Sequence, residues 1–272
     1  EVADKAAEAD AIIFVGGLSS SLEGEEMPVD LPGFRKGDRT NIDLPRVQAE
    51  MLKALKKTGK PVIFVVCSGS TLALPWEAEN LDAILEAWYP GQQGGTAVAD
   101  ILFGDYNPAG RLPLTFYASN NDLPDFEDYD MSNRTYRYFK GKALFTFGHG
   151  LSYTSYEYSD AGTDSFVYSP GDKVKVSFSV KNTGTRDGDE ISQVYVSQIN
   201  PSSERPVKEL KGFARTSLKS GESKVVEVEL PVDDWAFWDE QLGGWNLEKG
   251  RYDISIAAAS DDIKYVVSVE IK

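Results

Sequence analysis

The hydrophobic period of this chain changes once, near residue 165, and that change limits the fold more than any other feature. Before it, apolar runs alternate with helical patterns: Ala11-Ile-Ile-Phe-Val15, Pro61-Val-Ile-Phe-Val-Val-Cys67 and Ala83-Ile-Leu-Glu-Ala-Trp-Tyr89. Continuous runs of that kind belong to parallel strands covered on both faces by crossover helices. After it, Val174, Val176, Phe178 and Val180 alternate with Lys173, Lys175, Ser177 and Ser179, and further strands are predicted at 194–196, 225–230, 252–257 and 265–271. Turns at Asn182-Thr-Gly184, Lys219-Ser-Gly221 and Lys249-Gly250 separate them. About seven short strands in roughly a hundred residues is an immunoglobulin-like sandwich pattern. The expected fold class is α/β, with a mostly parallel sheet, followed by an all-β sandwich.

Local signals place the helices. Asp43 suits an N-cap and Pro45 a first turn, with Val47, Met51, Leu52 and Leu55 as the apolar stripe of a crossover helix. A second helix is expected from about Thr96 to Phe103, between Gly94-Gly95 and Gly104. Residues 105–158, aromatic and rich in Asn, Asp, Pro and Gly, read as a connector laid over a surface. The expected divisions are an α/β domain over 1–118, an aromatic connector over 119–163 and a β-sandwich over 164–272. Glu1 is no initiator methionine, and the alanine-rich opening reads as a helix already inside a domain.

Composition removes several function classes. Lys and Arg number 28 against 43 Asp and Glu, a net charge of -15, which argues against a nucleic-acid partner. The single cysteine, Cys67, sits in an apolar strand and reads as a buried, inert thiol. The single histidine, His149, reads as loop-ordering, so neither a metal site nor a cofactor is expected. No apolar stretch approaches the ~18 residues of a membrane-spanning helix.

In a parallel sheet, ligands sit beyond the carboxyl ends of the strands. Directly behind the first strand comes Gly17-Leu-Ser-Ser-Ser-Leu-Glu-Gly-Glu-Glu-Met27, so Glu23, Glu25 and Glu26 fall where a site is expected. Ser68-Gly69-Ser70 and Pro90-Gly-Gln-Gln-Gly-Gly95 follow the next two strands, and the three loops are expected to converge. Clustered carboxylates raise one another's pKa and can carry proton chemistry; the alternative is that all three are solvated loop glutamates.

Several motifs together resemble glycoside hydrolase family 3, the retaining exo-acting β-glucosidases and β-xylosidases. They are Trp88-Tyr-Pro-Gly-Gln-Gln-Gly-Gly95, Ala99-Asp-Ile-Leu-Phe-Gly-Asp-Tyr-Asn-Pro-Ala-Gly-Arg-Leu-Pro-Leu-Thr-Phe116, Tyr136-Arg-Tyr138 and Phe145-Thr-Phe-Gly-His-Gly-Leu-Ser-Tyr-Thr154. Val180-Lys-Asn-Thr-Gly184, Asp187-Gly-Asp-Glu190, Arg205-Pro-Val-Lys-Glu-Leu-Lys-Gly-Phe213 and Trp235-Ala-Phe-Trp238 continue the match in order. The resemblance implies the C-terminal portion of such an enzyme: an α/β sandwich domain lacking its opening strands, then a fibronectin type III-like domain. It implies hydrolysis of terminal β-D-glucosyl or β-D-xylosyl residues from β-linked oligosaccharides, with the aspartate nucleophile on an N-terminal barrel absent from these residues. Such a segment is expected to be inactive alone, and its open sheet edge to meet that barrel polypeptide or a second copy in a homo-oligomer. A periplasmic or secreted location follows from the same resemblance.

Relatives carry a Glu-Gly or Glu-Glu pair after a short polar run, then Asp-Arg and Leu-Pro; here Asp38-Arg39 and Leu44-Pro45 follow. That register selects Glu25 as acid/base, with Glu23 and then Glu26 as alternatives. The segment from Met27 to Gly37 stands between them and Asp-Arg, a departure from the family spacing. Trp88, Gln92 and Arg39 are candidate substrate-binding residues. Pro90 to Gly95 lacks the Lys-Ser/Thr of a phosphate loop and reads as a strand-to-helix turn. Trp235, Phe237, Trp238 and Trp245 read as core or interdomain packing, or else as a sugar-stacking platform. A noncatalytic carbohydrate-binding or cell-surface module is the alternative reading of the whole.

Overall fold

A computed structural model of the chain describes residues 2–23, 27–36 and 38–272. It divides into two compact units, one from Glu1–Phe103, Thr115–Tyr129 and Gly141–Phe145, the other from Gly104–Leu114, Asp130–Lys140 and Thr146–Lys272.

In the first unit, α1 (Val2–Ala6) leads into β1 (Ile12–Gly17), and a small hairpin of β2 (Phe34–Arg35) and β3 (Asp38–Arg39) follows. Then come α2 (Arg46–Lys56), β4 (Val62–Cys67), α3 (Pro75–Asn80), β5 (Ala83–Glu86) and α4 (Gly94–Phe103). Strands β1, β4 and β5 form a parallel sheet in that order, with Ile12 opposite Val62 and Ile63 opposite Ala83. Central β4 buries Val62, Phe64, Val65 and Val66, as its continuous apolar run requires. Edge strand β1 differs from the expectation of burial on both faces. Ile12 is buried while Ile13 and Val15 are exposed: alternate side chains point to opposite faces, and only the face bearing Ile12 and Phe14 packs into the core.

Two readings of α2 are corrected. Asp43 is not its cap: the helix starts after Pro45 without a side-chain cap, and the Asp43 carboxylate instead accepts from the Asn120 side-chain amide at 3.2 Å. Val47 is 74% exposed, and the buried stripe is Leu52 and Leu55. The β5 strand stops at Glu86, freeing Ala87 to Tyr89 to turn.

In the second unit, the helical turn α5 (Thr135–Tyr138) precedes ten strands. They are β6 (Tyr156–Thr163), β7 (Val167–Tyr168), β8 (Lys173–Asn182), β9 (Gly188–Gln198), β10 (Glu209–Leu218), β11 (Ser223–Pro231), β12 (Phe237–Asp239), β13 (Gly244–Asn246), β14 (Gly250–Ala257) and β15 (Ile263–Ile271). One sheet runs β10-β9-β14-β15-β7 and the other β11-β8-β6, while β12 and β13 form a separate hairpin. Period two turns Val174, Val176, Phe178 and Val180 to one side of β8, where they pack with Val194, Ile254, Ile256 and Trp235. This is the all-β sandwich expected from the alternation.

Polar contacts join the motifs of this unit. Arg111 pairs with Glu190 at 2.9 Å, and the Tyr158 hydroxyl donates to the other Glu190 oxygen at 2.7 Å. Arg137 pairs with Glu209 at 2.5 Å, and the Leu210 amide donates to the Tyr136 hydroxyl at 3.0 Å. Segments nearly 80 residues apart are thus tied by charge.

Candidate active site

The site is assembled at the carboxyl ends of β1, β4 and β5. Strand β1 ends in Gly17, whose φ of +116° and whose fit against the Cys67 carbonyl leave no room for a Cβ. Gln48 of α2 clamps that end from both sides, accepting from the Gly17 amide and donating to its carbonyl, each at 2.7 Å. The chain then turns through Ser19 to Leu22, and Glu23 reaches across the sheet edge.

Glu23 accepts hydrogen bonds from the Ser70 hydroxyl, the Tyr89 hydroxyl and, at 3.1 Å, the Gly69 amide. All three loops therefore meet on one carboxylate. Gly69 is required for this meeting, since a Cβ there would lie 2.6 Å from the Tyr89 ring and 3.1 Å from the Glu23 oxygen. Burial alone would raise the Glu23 pKa, but the bonds from Ser70, Tyr89 and Gly69, with Arg39 nearby, outweigh it and hold the carboxyl below its ordinary value. Burial and the adjacent Glu23 push the Tyr89 phenol up to about 12, so the shared proton stays on Tyr89.

Arg39 closes the network from behind. The β2–β3 hairpin returns it to the sheet edge, where it donates to the Ser70 hydroxyl at 2.9 Å and the Thr71 carbonyl at 2.7 Å. Ser70 in turn donates to Glu23, which makes Arg39 a brace for the acceptor. Trp88 lies at the same edge, packed edge-on against Phe116 at 6.2 Å between ring centres. Gln92 is exposed on the turn before α4, away from Glu23's described bonds. Glu25 and Glu26 lie outside the described residues.

Two features of the site escaped sequence reading. Glu86, which ends β5 inside an apolar run, is half-buried, and burial pushes its carboxyl up to about 7 against the pull of the Trp88 amide. That amide donates to Glu86 Oε1 at 3.0 Å, and Trp88 itself holds a φ of +54°. A bulky aromatic in the left-handed region costs about 1–3 kcal/mol, offset here by the Glu86 hydrogen bond together with the packing of the Trp88 ring on Phe116. A carboxylate two residues before Trp in an otherwise apolar strand was the available signal. The partnership of Ser70 and Tyr89 with Glu23 had none, because it depends on that turn. Cys67 is half-buried rather than buried as expected, because it ends β4; burial, and then Glu86, push its thiol up. Among the described residues, no group of three or more His, Cys, Asp or Glu side chains is arranged to hold a metal ion.

Comparison with known proteins identifies two family models along the chain. Residues 1–153 match the glycosyl hydrolase family 3 C-terminal domain, and residues 190–260 match a fibronectin type III-like domain. A xylan 1,4-beta-xylosidase of Xylanibacter ruminicola is 49% identical over 255 residues, covering 92% of this chain and 29% of that protein. A periplasmic beta-glucosidase of Salmonella typhimurium is 37% identical over 276 residues, covering 97% of this chain and 35% of that protein. The crystal structure of a beta-glucosidase from Kluyveromyces marxianus in complex with glucose superposes with a TM-score of 0.86 at 35% identity, over 99% of this chain and 33% of that one. The chain thus spans about a third of the length of the relatives it matches.

Proposed function

The chain belongs to glycosyl hydrolase family 3, comprising its C-terminal domain and a fibronectin type III-like domain, and we propose that it supplies the general acid/base, not the nucleophile, of a retaining exo-acting β-glycosidase. The substrate is a terminal β-D-glucosyl or β-D-xylosyl residue of an oligosaccharide, in keeping with the names of the relatives. The observation that carries this reading is the carboxylate loop after β1, fastened through Glu23 to the loops after β4 and β5.

A retaining glycosidase needs two carboxyl groups about 5–5.5 Å apart, one attacking the anomeric carbon while the other protonates the leaving oxygen and then activates water. The acid must hold its proton near neutral pH. Glu23, whose pKa is lowered by its donors, suits an acceptor that anchors the loop. Glu25, two residues further on, is the proposed proton donor, and Glu26 the remaining alternative. The nucleophile is assigned to an N-terminal barrel beyond these 272 residues, so the chain alone is inactive, and a periplasmic or secreted setting suits the polymeric source of its substrates. Trp88 and Arg39 belong to the same edge as substrate-side groups, Gln92 more peripherally.

The test is a Glu→Gln series at Glu23, Glu25 and Glu26 in the intact protein, assayed on aryl β-glucosides and β-xylosides with azide rescue. Glu25→Gln is expected to lose activity on poor leaving groups and regain turnover with azide; wild-type activity in that variant sinks the assignment.

One observation favours the noncatalytic carbohydrate-binding module. Trp238 and Trp245 face each other across the β12–β13 hairpin, with ring centres 6.0 Å apart, and are 55% and 74% exposed. Loss of sugar binding in Trp238→Ala, with all three glutamine variants silent, selects that reading.

A further inference from the structure

Glu86 is a half-buried carboxyl at the sheet edge that the proposed chemistry does not use. It stands at the carboxyl end of β5, paired in register with Val66 of β4, one residue before Cys67. Its Oε1 accepts from the Trp88 amide two residues on, closing a tight turn over Ala87. Within that turn Trp88 takes a φ of +54°, a conformation that a bulky L-residue adopts only when its surroundings impose it. Two contacts do so: the Glu86 oxygen on its amide, and the edge-on packing of its ring against Phe116, which itself packs edge-on against Phe145 at 6.2 Å.

The turn decides where the next residue goes. Tyr89 follows Trp88 directly and crosses to the loop after β4, where its ring occupies the space that only a glycine at 69 leaves open. Its hydroxyl ends on Glu23. Without the left-handed turn, the chain leaves β5 in another direction and the phenol no longer points at the carboxylate. Glu23 would then keep the Ser70 and Gly69 bonds but lose its third donor.

We propose that Glu86 is a positioning residue for the candidate active site: its carboxyl oxygen holds the Trp88 turn, and the turn delivers Tyr89 to Glu23 and so fixes the stem of the carboxylate loop. This rests on the glycosidase reading for its consequence in catalysis, while the link from Glu86 to Tyr89 stands on geometry alone. The bond described for Glu86 is to the Trp88 amide rather than to Glu23, and Glu86 is not offered as an acid or base.

The experiment uses the intact protein with Glu86→Met, which keeps length but removes the acceptor oxygens, and Glu86→Gln, which keeps one. Two quantities are read: the titration of the Tyr89 ring by 13C NMR, its resonance assigned as the one absent from Tyr89→Phe, and kcat/KM on aryl β-glycosides. In wild type and Glu86→Gln, Tyr89 is expected to titrate near its raised value of about 12, and in Glu86→Met near its ordinary value of 10. A kcat/KM loss of roughly ten- to a hundredfold is expected for Glu86→Met, with Glu86→Gln retaining most of the wild-type value. Tyr89 still titrating near 12 in Glu86→Met overturns the proposal, as does a Glu86→Gln variant as impaired as Glu86→Met. Should Glu86→Met fail to fold, Glu86→Ala is read in the same way. A protein without measurable glycosidase turnover removes the catalytic reading, and the Tyr89 titration still decides the positioning role.

Discussion

The two units treat their motif residues in opposite ways. In the sandwich, the residues that carry the family resemblance satisfy one another: Arg111 with Glu190, Arg137 with Glu209, Tyr136 with the Leu210 amide. In the α/β unit they gather at the open end of a three-stranded sheet, around Glu23, on loops rather than strands. Similarity of motif therefore has two physical meanings in one chain. Charged motif residues that pair with one another hold a fold together, whereas those gathered at a strand end, around a shared carboxylate, are where the proposed chemistry is placed.

The largest effect expected on the chemical side is at Glu25. Removing a general acid costs roughly 10²- to 10⁴-fold in rate, about 3–5.5 kcal/mol of barrier, and Glu25→Gln in the intact protein is expected to fall in that range on poor leaving groups. Thermal unfolding of the same variant should match wild type. A stability loss with unchanged rate would move the loop to the structural side of the comparison.

Arg111→Ala is the counterpart in the sandwich. Glu190 is only 2% exposed and keeps just the Tyr158 hydroxyl and its neighbours when the guanidinium is gone, so about 3–5 kcal/mol of stability should be lost. Urea unfolding of the 272-residue chain measures this. A loss below 1 kcal/mol would mean that the buried pair joins the motifs without stabilising them.

Glu86 lies between the two classes, and pH separates its roles. Its folded pKa, about 7, stands above its ordinary 4.5, so the folded chain binds more protons between those values and stability falls as pH rises through that window. It is fully present below pH 4.5 and lowest above pH 7. Glu86→Gln, which cannot ionise, is expected to be more stable than wild type at pH 8 by on the order of 3 kcal/mol and equal to it at pH 4. An equal gain at both pH values would rule out titration of Glu86 as its source.

Much of this was legible in the sequence because periodicity reports burial directly. The alternation at Val174 to Val180 and the apolar run at Val62 to Val66 have the structures their patterns predict. What was not legible depended on neighbours far along the chain. Asp43 looks like a cap until Asn120 takes its carboxylate, and Val47 looks like core in a helix whose buried stripe is set by Leu52 and Leu55. At the site, the glutamate loop could be found by its place behind a strand. Its anchoring could not, since a tryptophan gives no local signal for a left-handed turn.

The smallest expected effect tests the comparison at its base. Val15 on β1 and Val176 on β8 look alike in sequence, each in a β-branched apolar strand, yet Val15 is 64% exposed and Val176 is fully buried. Valine to threonine keeps the shape and adds a hydroxyl, so the cost reports the surroundings of the side chain. At Val176 the hydroxyl enters a dry core and should cost about 1–3 kcal/mol. At Val15 it meets solvent, and urea unfolding of the 272-residue chain should register a change within about 0.5 kcal/mol. The same pair made in the intact protein measures whether polypeptide beyond these residues covers β1. A Val15→Thr cost that rises toward the Val176→Thr value there would show that this open face is closed by a neighbour, as the sandwich closes its own.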